Sequence, residues 1–536
     1  MKHIAFFLAI CASLIQQVSA ADTTALNKDM LQLQQQANEL QKQLQALQLK
    51  IDRQKAAPAA QLSAPTTTSK VTPVEQNTAP PTNIQNTDLQ FHTSSVSVHS
   101  LDVDPESLEF YPTALVVDDR VLTYIAGTPV VSSPYLGSRP AFDGSDYMVN
   151  VSSINRDIRL MQQRRGLERA YKKIGYPVPN KPIIALSGKA EPIGTMGQPY
   201  VGESKFDWNL GSDELDVAAI LNSKVEAYMA LAYDASRSAS RGPRVNNSSL
   251  DVSMGFVNIG DLDASPIYLT AGQLFAPFGR FSSSMVSAPL TLRLARIKTR
   301  PIILGYKSQN DTGPYLALYA YRGEVTEGNS GVTGFNIGYI LDVHDATADV
   351  GISAVSSLDD SGGMQMTGST PGLNTGTFGG FSSLLNGNED VYKVSGLDLH
   401  ASINYDRYNV TAEWVGALTS FRDQDLSFNG VGAQPQALQL EAGFTFIAFD
   451  KPSSLAAGYQ WSGNTLALNL PENRICGVFN ISIWKDTVES LEYRHDIDFG
   501  KNQYANGAAP IGYVNANTLG TGSAADTLLA QIGVYF

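Results

Sequence analysis

Ile267-Tyr268-Leu269-Thr270-Ala271-Gly272-Gln273-Leu274-Phe275-Ala276-Pro277-Phe278-Gly279-Arg280 is the stretch on which the fold turns. From Ile267 to Leu274 it alternates like a strand, and Pro277 and Gly279 then end it. Behind it Arg280, Arg293, Arg296, Lys298 and Arg300 gather in one segment that contains no carboxylate. A strand feeding a basic loop predicts a membrane barrel with a cationic pore loop, because rings of Arg and Lys favour anions. The remaining chain must then supply an export signal, a closed barrel and an aqueous lumen.

The period of two holds from residue 183 to the end. Val225, Ala227, Met229, Leu231 and Tyr233 alternate with Glu226 and Tyr228. Leu397, Leu399, Ala401 and Ile403 alternate with Asp398, His400, Ser402 and Asn404, and Leu438, Leu440, Ala442 and Phe444 with Gln439, Glu441 and Gly443. One face is apolar and the other carries carboxylates, amides and histidine. This pattern places about sixteen strands, near residues 183–190, 213–221, 224–234, 250–258, 267–275, 301–309, 315–322, 333–341, 347–356, 396–405, 409–418, 437–447, 453–462, 477–485, 489–497 and 526–536. Connections alternate between long (191–212, 276–300, 357–395, 498–525) and short (222–223, 310–313, 406–408, 486–488). A membrane barrel has long outer loops and short periplasmic turns, whereas a soluble sandwich has no reason to follow that rule. The predicted fold class is therefore all-β, a transmembrane antiparallel β-barrel preceded by a short N-terminal coiled coil. Leu528, Ala530, Ile532, Val534 and Phe536 share one face of the last strand, resembling the terminal signal of outer-membrane barrels.

Upstream, Lys2 and His3, an apolar run over residues 4–14 and Val18-Ser19-Ala20 make residues 1–20 a predicted signal peptide. Its removal takes Cys11 and leaves Cys476, so the mature chain can form no internal disulfide. No later run is long and apolar enough for a transmembrane helix. Charged residues are 17% and the formal net charge is -13, a balance equally suited to an acidic soluble protein and to a barrel that hides its apolar residues at alternate positions.

In residues 21–55, Met30, Ala37, Leu44 and Ile51 share one heptad position and Leu26, Leu33, Leu40 and Leu47 another. The reading is a periplasmic coiled coil that makes the protein a homo-oligomer, with a trimer among the states the seam allows. An amphipathic helix docked on its own barrel or on cell wall is the alternative. Residues 56–88 are a Pro- and Thr-rich linker unable to bury a core. Residues 89–182 form a pre-barrel segment, with a helix capped by Ser152 or Ser153 and ending at Gly175. Arg156, Arg159, Arg164, Arg165, Arg169, Lys172 and Lys173 make that helix basic, suiting either the pore mouth or a periplasmic cap. Residues 183–536 are the barrel.

Catalysis finds little support in the residues. His92, His99, His344, His400 and His495 show no metal-ligand spacing, and neither a G-x-S-x-G elbow nor a Gly-rich phosphate loop is present. His400 faces the lumen in this register and reads as a pore-lining side chain more readily than as the base of a barrel hydrolase. The expectation is no enzyme, no cofactor and no nucleic-acid partner. The pore constriction is assigned to Arg280, Arg293, Arg296, Lys298 and Arg300, whose alternative is to face lipopolysaccharide phosphates at the rim.

A resemblance accompanies these readings. Signal, short coiled coil and Pro-rich linker precede Ser132-Ser133-Pro134-Tyr135-Leu136-Gly137, Ala141-Phe142-Asp143-Gly144-Ser145-Asp146 and Ile154-Asn155-Arg156-Asp157-Ile158-Arg159-Leu160. This order, ahead of the barrel, resembles the LbtU family of siderophore porins over nearly the whole chain. The resemblance implies TonB-independent uptake of a ferric siderophore of polycarboxylate type across the bacterial outer membrane. Gly272 to Gly279 alone also fits phosphate-selective porins, so a general or phosphate-type anion porin stays open, as does a structural or adhesin barrel. A TonB-dependent receptor is disfavoured, because about twenty-two strands and a plug need more chain.

Overall fold

In a computed structural model of the chain, the described residues are short strands between residues 116 and 151, a helix beginning after Ile154, and residues 182–536. Excluded from the last are 235–250, 324–330, 366–381, 508–518 and a few shorter gaps. The signal, coiled coil and linker lie outside the described residues.

Sixteen antiparallel strands close a barrel. They are β1 (Ile183–Gln198), β2 (Lys205–Asn222), β3 (Val225–Asp234), β4 (Asp251–Gly260), β5 (Ile267–Phe275), β6 (Ile302–Lys307), β7 (Gly313–Arg322) and β8 (Gly331–Val343). There follow β9 (Ala346–Val355), β10 (Gly396–Tyr405), β11 (Tyr408–Ala417), β12 (Gln436–Ala448), β13 (Lys451–Gly463), β14 (Asn473–Ile481), β15 (Thr487–Ile497) and β16 (Ala524–Tyr535). β16 closes on β1, with Asp526 opposite Gln198 and Tyr535 opposite Lys189. Phe536 completes the seam by exchanging backbone hydrogen bonds with Gly188.

The alternation fixes which side chains meet which solvent. Ile267, Leu304, Leu318, Leu440, Leu455 and Ile475 lie exposed on the outer face. Asp216, Glu226, Asn258, Thr270, Asp398 and Glu413, at the opposite parity, are buried inside. An exposed apolar band around a polar interior is the inverse of a water-soluble protein and matches a barrel in lipid. Aromatic residues edge the band, with Tyr306, Tyr339, Tyr405, Tyr408 and Trp484 toward the turns and Phe206, Trp208, Tyr459 and Tyr493 toward the loops.

Local chemistry sets the turns. At 223–224 the Asn222 carboxamide accepts the backbone N–H groups of Lys224 (2.9 Å) and Val225 (3.0 Å). At 449–450 both Phe449 and Asp450 have positive φ, the two-residue turn whose twist suits a hairpin.

Several boundaries differ from the sequence reading. The expected long loop at 191–212 is mostly strand, leaving 199–204 between β1 and β2. Its alternation is interrupted where the ladder shifts register at Glu191 opposite Gly211. β14 begins four residues before the expected 477, which brings Arg474 into the wall. Within the expected connection 276–300, Leu290, Leu292 and Leu294 form a short helix.

Two elements fill the lumen from opposite sides. Helix α1 (Arg156–Lys173) lies against the inner face of β2–β5. The loop after β5, residues 276–301, crosses to the inner face of β9–β15 and contains α2 (Leu290–Ala295). The largest buried apolar cluster centres on this loop, where Leu274, Phe278, Phe281, Leu290 and Leu294 pack with Val355 and Leu358.

Candidate functional site in the lumen

The turn that sends the loop inward is specified by its residues. Gly279 has φ +77, and a Cβ there would stand 2.2 Å from the Phe281 ring. Only glycine accepts both conditions. Phe281 itself takes φ 57, a strained conformation for an aromatic residue that its surroundings hold in place.

Beyond the turn, the opposite wall takes hold of the loop by its backbone. Glu413 of β11 accepts the N–H groups of Arg280 (2.7 Å) and Phe281 (2.9 Å), together with the Thr291 hydroxyl at 3.2 Å. Glu441 of β12 accepts from Ser284 N–H (3.0 Å) and the Ser283 hydroxyl (2.8 Å). Glu492 of β15 accepts from Ser287 N–H (2.9 Å) and its hydroxyl, and Gln460 of β13 accepts from Leu290 N–H (2.9 Å). These lumen-facing glutamates, with Gln460, are thus engaged as acceptors for a buried backbone.

A second network fixes the loop's start. Gly279 N–H donates to Ser353 Oγ (2.8 Å), and that hydroxyl donates to Asp398 (3.1 Å). His400 places Nδ1 2.7 Å from Asp398 and Nε2 3.1 Å from the Tyr315 hydroxyl, which bonds Asp349 at 2.9 Å. Asp349 in turn pairs with Arg280 at 3.2 Å. His400 therefore sits between a carboxylate and a phenol, in a chain whose ends are both loop residues.

The five cations assigned to the pore divide sharply. Arg280 and Arg293 are inside. Arg296, Lys298 and Arg300 are on the outward side, because Lys298 pairs directly opposite Phe275 while Thr299 pairs opposite the buried Leu274. Partners across a ladder share a face. Lys298 reaches Ser253 Oγ (3.0 Å), Arg300 donates to Gln273 Oε1 (3.2 Å), and the Arg296 guanidinium stacks 4.4 Å from the Phe275 ring centre.

Arg293 is the cation left facing open lumen. α2 buries Leu290, Thr291, Leu294 and Ala295, which turns Arg293 to the other side, where its side chain is exposed. Its side chain makes no hydrogen bond or ion pair among the described residues. Enclosure by the barrel, and after it the Arg474 and Arg494 guanidinium groups, lower its pKa to about 10, which leaves it charged at neutral pH.

Those two neighbours complete a cluster. Arg474 of β14 grips Asp496 with Nε (2.6 Å) and Nη2 (3.2 Å) and donates Nη1 to the loop carbonyl of Ala288 at 3.1 Å. Arg494 of β15 lies 3.0 Å from Asp496 Oδ2 and is partly exposed. Arg474 and Arg494 thus share the Asp496 carboxylate, and Arg293 stands within their field, a gathering of positive charge suited to a multiply charged anion. Sequence reasoning missed Arg474 because its strand was begun too late. The signal was there, since Arg474, Cys476, Val478 and Asn480 share one parity.

No family model matches the chain. UPF0422 protein lpg2959 of Legionella pneumophila strain Philadelphia 1 is 64% identical over 449 residues, covering 83% of this chain and 84% of that protein. A UPF0422 protein of Coxiella burnetii is 33% identical over 408 residues, covering 75% and 83%. Among solved structures, an anion-selective porin from Comamonas acidovorans aligns over 66% of this chain and 100% of its own, at 12% identity and TM-score 0.43. The outer membrane channel DcaP of Acinetobacter baumannii aligns over 67% and 99%, at 12% identity and TM-score 0.41.

Proposed function

This chain belongs to the UPF0422 family, and we propose that it is an outer-membrane porin passing small anions, with ferric siderophores of polycarboxylate type as its specific cargo and no need of TonB. The observation that carries the reading is the unpaired Arg293 held beside Arg474 and Arg494 in the lumen. A guanidinium donates two parallel hydrogen bonds to a carboxylate, so Arg293 and the partly exposed Arg494 suit a ligand bearing several, while buried Arg474 adds charge behind them. Lumen cations also raise the local anion concentration, which favours flux even without tight binding. The role is transport and not catalysis.

The same three cations suit phosphate, which makes a phosphate-type anion porin the second reading. The outer face, apolar between two aromatic edges, supports insertion in the outer membrane. There Arg296, Lys298 and Arg300 would meet lipopolysaccharide phosphates. Residues 21–55 would hold barrels together as a homo-oligomer, a trimer being one arrangement their heptads permit.

Planar-bilayer conductance of the purified protein tests the proposal. Chloride-selective current blocked by low concentrations of a ferric polycarboxylate siderophore is expected. Current indifferent to the siderophore and blocked by phosphate would transfer the assignment to the second reading. A barrel without current would end both.

A further inference from the structure

β2 and β3 turn three carboxylates inward, Glu214 and Asp216 on successive inward positions and Glu226 nearer the turn, all with buried side chains. Bare, such a wall would repel anions and favour cations. It is not bare, because α1 covers it. The Arg156 guanidinium lies on Glu214 and 3.9 Å from Asp216, and it donates to the Tyr228 hydroxyl at 2.7 Å. Arg164 stands 3.4 Å from Glu226 and donates to the Gly260 carbonyl at 2.8 Å. Asn258 ties the helix to the same wall by donating to the Asp157 carbonyl (2.9 Å) and to Glu226 (3.0 Å).

Holding a helix in place does not require this chemistry. Ile158 and Met161 already pack with Leu262 and Tyr268, and a buried ion pair stabilises little more than apolar contacts of equal volume. What the arginines add is positive charge that offsets most of the carboxylate charge on this wall.

We propose that α1 is a selectivity element whose Arg156 and Arg164 mask the Glu214–Asp216–Glu226 wall so that the turn half of the lumen admits anions. This rests on the anion-porin reading above. It assigns to the pre-barrel segment a job distinct from that of the Arg293 cluster, which lies with the inserted loop. The cluster attracts the anion, and α1 removes the field that would stop it further on.

The test is the reversal potential of the full-length protein in a planar bilayer under a KCl gradient. Arg156→Gln with Arg164→Gln should move it toward potassium preference, Arg156→Lys with Arg164→Lys should leave it near wild type, and Glu226→Gln should move it toward chloride. If the glutamine pair yields no heat-modifiable barrel, Glu226→Gln decides alone. Potentials unchanged from wild type in the glutamine variants would overturn the proposal while leaving a chloride-selective pore intact. A wild-type pore that prefers potassium, with the variants still shifting in opposite directions, would overturn the anion reading and leave the masking role standing.

Discussion

α1 and the inserted loop occupy the same lumen and are held by opposite chemistries. α1 presents side-chain cations to wall carboxylates, as in Arg156 on Glu214 and Arg164 on Glu226. The loop presents backbone N–H groups and hydroxyls to wall carboxylates, as at Glu413, Glu441 and Glu492. The wall acceptors are alike, and the difference lies in what remains free. The helix arginines lie on wall carboxylates, so their charge masks the wall and is not offered to a ligand. A loop anchored mainly through its backbone and hydroxyls leaves Arg293 available to the lumen. A cation in this lumen meets an anion most directly where no wall carboxylate already holds it.

The largest expected effect comes from removing the loop's main anchor. Glu413→Ala leaves two buried N–H groups without an acceptor, at about 1–3 kcal/mol each. It should lower the melting temperature of the heat-modifiable barrel and raise single-channel conductance as the loop loosens. An unchanged melt would mean that the backbone anchors do not carry the load.

Next is Arg293→Glu, which reverses the charge at the one site the comparison leaves free. Chloride preference should collapse with little change in melting, the reverse of the expected balance for Glu413→Ala. A selectivity equal to wild type would remove Arg293 from the site.

Gly279→Ala addresses the turn between wall and lumen. A Cβ 2.2 Å from the Phe281 ring at φ +77 should cost roughly 1–3 kcal/mol through strain. Thermal denaturation measures it, and a shift indistinguishable from zero would show that the loop enters by another geometry. The smallest effect is expected for Lys298→Gln with Arg300→Gln. On the outward face these should leave reversal potential unchanged and stability within about 0.5 kcal/mol. A loss of chloride preference in that variant would place the outer cations on the ion path after all.

Much of this architecture is legible in the chain. Period-two patterning gave all sixteen strands their approximate places, because lipid on one side and water on the other impose opposite polarity on successive residues. β5 and β10 occupy the predicted residues. Errors collected where the alternation is masked, at the Glu191–Gly211 register shift and at Asn473 and Arg474, where a polar pair begins a strand.

The sequence alone established a barrel, a basic segment behind Gly279 and a basic helix ahead of residue 183. It could not sort the cations by side, since that depends on which residue each one opposes. Lys298 faces out because it pairs with Phe275, and Arg494 faces in because it pairs with the buried Cys476. Nor could it join Arg293, Arg474 and Arg494, which are far apart in the chain and meet only when the loop crosses the lumen to β13–β15. Alternation is a local property, written in each strand by its two solvents. Convergence of charge is a property of closure, and it exists only once the sheet has curled round and the loop has been pulled inside.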